Sequence, residues 1–289
     1  MSTSKRATKL TKAHKVLQKH YEPRAVAERP VLEQLLYACC LEFASPEDAD
    51  EAFAKLQQTY YDWNEVRVTT VSELCEVLSR LPKPRGTASH LKRTLHSVFE
   101  QYYSFDLEPL KKENIGKAVQ QLEKLDGISK FAMAFVIQNG LCGHAIAVNA
   151  EALEALRVLG IISDAEAADK RVPGLERAIP KNKGPEFRAL LHQLAVEYGA
   201  APFSPRVRSI MLEIAPDAKQ RFPKRSSKKT DKSSADKSSA DKGGKKKNTA
   251  RKKKDTETTK TDEKKTDGKT EGGKQKKADI QQLSKRKPR

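Results

Sequence analysis

Gln120-Gln121-Leu122-Glu123-Lys124-Leu125-Asp126-Gly127-Ile128-Ser129-Lys130-Phe131-Ala132-Met133-Ala134 is the stretch on which the reading of the whole chain turns. It predicts two apolar-faced helices, over 113–124 and 130–139, joined by a tight turn at Gly127, with Ser129 able to cap the second helix. Such a turn exposes backbone N–H groups at the start of the second helix. Together with the positive end of the helix dipole they make an anion site suited to a phosphate. Lys130 adds a point charge beside it, so Gly127, Ile128, Ser129 and Lys130 are the candidate binding residues. Asp126 at the tip would oppose a phosphate. The apolar 130–139 segment itself reads as core.

The flanking sequence is helical in pattern throughout. Residues 1–29 carry 8 Lys/Arg against 2 Asp/Glu, with Leu10, Val16 and Leu17 on one face, and read as a basic amphipathic helix. Pro30 opens an apolar run from Val31 to Phe43. Ser45-Pro46-Glu47-Asp48 is a helix start, with a capping Ser, Pro at the first position and acids in the first turn. Further helices are expected at 70–81, 87–103, 149–158, 173–179, 185–198 and 204–214. β-branched runs are short and isolated (Val66 to Val71, Ala145 to Val148), and no sheet pattern emerges. The fold class is all-α.

Charge divides the chain into two parts. The 289 residues carry 56 Lys+Arg and 38 Asp+Glu, a net +18. Lys219 to Arg289 hold 27 basic and 10 acidic residues, so the first 218 are almost neutral at +1. Between Pro223 and Ala278 the only apolar side chains, Pro aside, are four alanines. That is too little apolar surface to offset the entropy of ordering the backbone, and a disordered Lys-rich C-terminal tail is expected. Its clusters Lys245-Lys246-Lys247 and Arg251-Lys252-Lys253-Lys254 are suited to neutralising phosphates, which gives sequence-independent, steeply salt-dependent binding. DNA is the expected partner, largely through phosphate contacts. A membrane role would want aromatic or lipid-anchor help, and the tail has neither.

The hairpin resembles the helix-hairpin-helix of the endonuclease III-like DNA glycosylases, whose turn typically reads Leu-Pro-Gly-Val-Gly where this chain has Leu125-Asp126-Gly127-Ile128-Ser129. Downstream, Asn139-Gly140-Leu141-Cys142-Gly143-His144-Ala145-Ile146-Ala147-Val148-Asn149 occupies the place of the family's Ala-Val-Asp turn, at closely matching spacing. The resemblance covers about residues 10–215. It implies two helical subdomains around a cleft holding the hairpin and Asn149, with boundaries at 1–29, 30–139, 140–218 and 219–289. The first of these segments would pack with the third, and the last is the tail.

The departures bear on activity. The family's Asp stabilises positive charge on the sugar and activates the nucleophile, and an amide at Asn149 supplies neither an anion nor a base. Asn fills the alternative role of helix N-cap as well as Asp does. Bifunctional members place a Schiff-base Lys where this chain has Phe131. Lys130 is one residue early, about 100° around the helix. Glu151, expected to face solvent on the first turn after Asn149, is the possible substitute carboxylate. No cysteine follows Cys142, so no iron–sulfur cluster is expected, nor any other cofactor or metal. Cys39, Cys40, Cys75 and Cys142 read as thiols in a reducing compartment. His144 and His192 read as structural, and Trp63 as packing rather than a base-stacking platform.

Without a signal-like apolar run the chain is expected to be intracellular, associated with a nucleoid or, in a eukaryote, the nucleus. Three functions stay open at this stage. The first is DNA binding on a repair fold with excision lost or weak. The others are an active monofunctional glycosylase in base-excision repair, and a nucleoid or chromatin architectural protein acting through its tail.

Overall fold

The computed structural model describes residues 3–223, and the lysine and arginine clusters at 245–254 lie outside them. Within the described residues the chain forms thirteen α-helices and three short 3-10 turns, with no strand. No helix among them is long and apolar enough to cross a membrane.

The first half runs through α1 (Thr3–His20), α2 (Val31–Leu41), α3 (Pro46–Thr59), α4 (Trp63–Val68), α5 (Val71–Val77) and α6 (Pro84–Tyr102), then a 3-10 turn at Glu108–Lys112. The hairpin is α7 (Ile115–Glu123) and α8 (Lys130–Asn139). Beyond it come α9 (Ala150–Val158), α10 (Asp164–Ala168), α11 (Leu175–Ala178), α12 (Gly184–Ala200) and α13 (Pro205–Ile214).

Side-chain caps explain seven of the helix starts. Ser45 Oγ accepts from the Asp48 amide at the start of α3, and Asn114 Oδ1 from Gly116 at the start of α7. The β-branched run Val66 to Val71 is split rather than extended. Asp62 caps α4, and Thr70 with Glu73 forms a capping box on α5. Satisfying orphan helix amides outweighs the small propensity cost of valine and threonine. The same device, Ser163 with Glu166, starts α10, which the apolar periodicity did not announce because none of its five residues is buried. At the N-terminus the helix ends at His20, and residues 21–30, with Pro23 and Pro30, form no regular element.

Two apolar clusters organise the described residues. One is built from α2 to α8 around Leu35, Leu36, Phe53, Leu91 and Phe135. The other joins α1 to α9 and α11–α13 around Leu10, Leu17, Leu156, Phe187 and Leu194. Arg6 pins α1 into place. Its buried guanidinium donates to the Ile161 and Pro173 carbonyls at 3.0 and 3.2 Å and to the Glu166 carboxylate at 2.7 Å. Extended chain at 145–149 crosses between the clusters, with Ile146 packed in one and Ala147 in the other.

Candidate nucleic-acid interface

Gly127 sits at φ +86° where the hairpin tip lies against α6. A Cβ there would come within 2.7 Å of Arg93 Cβ and 3.0 Å of the Thr94 backbone nitrogen, so no other residue fits without moving α6. The Asp126 amide donates to Ser97 Oγ at 2.9 Å, and Leu125 is buried beneath the tip. Ser129 caps α8, its Oγ accepting from the Ala132 amide at 3.0 Å. Lys130 is exposed, and its Nζ donates to the Asp169 carbonyl at 2.9 Å, tying the α10–α11 loop to the start of α8.

Cations gather around this start. Lys130, Lys170 and Arg171 line one cavity beside α8. Lys170 and Arg93 both act on His90, whose pKa burial holds below its usual value and these charges lower further. Lys83 Nζ lies 4.4 Å from the centre of the Phe43 ring.

The Asp126 and Asn149 positions behave differently. Asp126 stays exposed at the tip. Asn149 is only 3% exposed. Its Oδ1 accepts from the Ala152 amide at 2.9 Å, capping α9, and its Nδ2 donates to the Glu42 carbonyl at 3.0 Å. One amide therefore closes a helix start in the second cluster and stitches it to the end of α2 in the first. His192 on α12 makes a parallel stitch two residues along, its Nε2 lying 2.9 Å from the Ala44 carbonyl. Burial pushes the His192 pKa down to about 4, so the ring is neutral and donates through Nε2.

Phe131 is 2% exposed and lies in the core. Its ring stacks 6.2 Å from Phe135 and tilts 5.8 Å from His192. Lys130 is turned away toward Asp169 and brings no amine to this contact.

Glu151 does not face solvent as expected. It is half-buried, and its carboxylate pairs with Lys83 at 3.3 Å across the seam between the clusters. Gly199 on α12 makes room for it, since a Cβ there would lie 2.9 Å from Glu151 Cγ. Beside it is Glu42, which nothing in the sequence singles out beyond being an acid at the end of an apolar helix. Burial raises the Glu42 pKa. The Ser129 hydroxyl, Lys170 and Lys83 counter that rise, and Glu151 adds to it. One carboxylate oxygen on each of Glu42 and Glu151 is buried without a hydrogen-bond partner.

Of the remaining residues weighed from sequence, Trp63 packs on Phe53 at 5.7 Å. His144 Nε2 meets the Ile179 carbonyl at 3.0 Å. Among the described residues no group of three or more His, Cys, Asp or Glu is placed to hold a metal ion.

No family model and no curated protein matches this sequence. Solved structures do match its fold. An endonuclease III trapped as a covalent intermediate with DNA aligns over 77% of this chain and 100% of that one, at 15% identity and a TM-score of 0.50. Endonuclease III in a non-covalent DNA complex aligns over 76% and 98%, at 15% identity and a TM-score of 0.52. A thermostable thymine-DNA glycosylase aligns over 75% and 98%, at 17% identity and 0.52. At these identities the likeness is one of fold, and the described residues have the all-α fold of endonuclease III.

Proposed function

We propose that this protein binds duplex DNA through its helix-hairpin-helix and the cations around it, and that it does not excise bases. The observation that carries the second half is the double use of Asn149. Both polar atoms of its side chain are engaged in holding the fold together, and neither is an anion or a base. Phe131 completes the argument, because an aromatic core contact replaces the nucleophilic amine.

The first half rests on the hairpin geometry, on Gly127 and Ser129 shaping the start of α8, and on Lys83, Arg93, Lys130, Lys170 and Arg171 about it. Phosphate contacts of this kind position a protein without reading sequence. Lys245, Lys246, Lys247, Arg251, Lys252, Lys253 and Lys254 would add non-specific affinity. Such a protein acts as a reader or shield of DNA on a repair scaffold.

Single-turnover assays of the full chain on a panel of damaged duplexes, with binding recorded in parallel, test this. Binding without base release is the expected result, and clear excision overturns it. The Glu42–Glu151 pair beside Asn149 favours one second reading, a weak monofunctional glycosylase drawing on a neighbouring carboxylate. In that case excision would appear and would vanish in Glu42→Gln or Glu151→Gln. If binding disappears with residues 224–289 and leaves no hairpin contribution, the architectural reading is the better one.

A further inference from the structure

We infer that the cavity between α2, the start of α3, the chain at 24–26 and α12 binds a small monovalent anion of chloride's size, held by the Arg188 guanidinium. The DNA-binding reading does not require this site, and the two stand or fall separately.

Arg188 is a buried charge without a counter-charge. It lies on α12, which belongs to the second cluster, and is only 3% exposed. Its Cζ sits 5.0 Å from the centre of the Phe135 ring, which belongs to the first cluster. The ring offers the cation its negative face but no anion. Arg188 Nε is buried with no hydrogen-bond partner among the described residues. Burial pulls the Arg188 pKa down to about 10, so the guanidinium still carries its charge at neutral pH. A buried ion with no paired counter-charge is among the most costly groups a fold can hold.

The acids at this end of the seam are already matched. Asp50 lines the same cavity, but its carboxylate pairs with Arg29 at 3.5 Å and with Arg24 at 3.9 Å. It also accepts from the Tyr37 hydroxyl. Arg24 in turn meets Glu47 at 2.8 Å. Those two acids and two arginines balance, and Arg188 is the cation left over.

The cavity has the size to complete the balance. It measures about 30 Å³. One water needs roughly 10–15 Å³ of such space, so a chloride-sized ion and one water fill it, while a tetrahedral oxyanion is too large. A second atom on the wall shows why the water belongs. His192 also lines the cavity, and with Nε2 donating to the Ala44 carbonyl its Nδ1 is an acceptor, buried with no partner among the described residues. An anion alone would meet that lone pair unfavourably. A water donating one proton to Nδ1 and the other to the anion satisfies both, while the anion accepts from Arg188. Arg188 and His192 come from α12, and Tyr37 and Leu41 on the facing wall from α2. Occupancy of the site therefore couples the packing of the two clusters to the anion in solution.

Thermal unfolding of the full chain at pH 7.5 and fixed ionic strength, with sodium gluconate exchanged stepwise for sodium chloride, tests this. Gluconate is too large to enter. The expected result is a saturable rise in Tm of about 3 °C or more. Arg188→Met, which removes the charge and keeps an apolar side chain there, should melt at least as high as the parent in gluconate and show no such rise. Should that variant fail to fold, amide exchange at residues 24–26 of the parent decides, and chloride should slow it about threefold or more relative to gluconate. A parent Tm indifferent to the exchange of anions overturns the site. So does an equal rise in the parent and the folded variant, which is a general salt effect, or unchanged exchange at 24–26 where the variant does not fold.

Discussion

Replacing Asn149 by aspartate keeps a helix cap but changes an amide for a carboxyl, and the geometry here predicts damage rather than gain. The introduced carboxylate would still cap α9 through Ala152, since Asp and Asn are equivalent caps. It would no longer donate to the Glu42 carbonyl, and an oxygen would face that carbonyl where the nitrogen now sits at 3.0 Å. Leaving that buried acceptor unpaired costs about 1–3 kcal/mol. The α9 dipole returns roughly 0.3–1 kcal/mol. The neighbouring Glu42 and Glu151 carboxylates add repulsion, so a net loss of about 2 kcal/mol is expected at pH 7.5. Burial and like charge place the new carboxyl's folded pKa above its unfolded value. The penalty is therefore complete above the folded pKa and is relieved as pH falls toward the unfolded value, where the neutral acid again carries a proton to donate. Urea unfolding of the full chain at pH 7.5 and pH 4.5, with Asn149→Ala as a pH-independent reference, reads this directly. Parental stability at pH 7.5, a loss that does not shrink in acid, or base excision by Asn149→Asp would refute the reasoning.

Other outcomes follow from the same geometry. Gly127→Ala should lose about 2–4 kcal/mol in urea unfolding, from the left-handed φ together with a Cβ pressed onto α6. Its duplex binding should weaken even where it stays folded. Arg6→Ala should lose about 3 kcal/mol by stranding Glu166 and two carbonyls, and should raise amide exchange across the α10–α11 loop. His192 titrates near pH 4 when folded against about 6.5 when unfolded, so unfolding takes up a proton between those values. Stability should fall by up to about 3 kcal/mol as pH drops from 6.5 to 4, and His192→Gln should flatten that slope. Glu42 has the opposite sign. Its carboxyl holds a proton in the folded state above the pH at which the unfolded carboxyl ionises, so stability drops as pH rises through that window. Glu42→Gln should melt higher than the parent at pH 7, with the difference closing below pH 4.5.

The sequence by itself determined the class of fold and the hairpin, and it located Phe131 and Asn149 as the residues to examine. These are local properties: helical spacing of apolar residues, a Gly that must turn, capping residues such as Ser45, Ser129 and Asn149, and the identity of the side chain at a counted distance from the turn. It also read Trp63, His144 and His192 as structural, and their contacts in the fold agree. Short elements escaped because they bury little. Residues 164–168 form a helix held by a capping box, and Val66 to Val71 break where Thr70 caps. What only the tertiary structure decided is where the polar groups point once distant segments meet. Glu151 belongs to the seam because Lys83, 68 residues earlier, and Gly199 on another helix leave it a place there. Glu42 acquires its altered proton affinity from burial and from four neighbours on four other segments, Ser129, Lys170, Glu151 and Lys83. Asn149 becomes more than a cap because the end of α2 presents a carbonyl to it across 107 residues of chain. Such pairings depend on three-dimensional closure of the chain, and no periodicity or motif along a single segment encodes them.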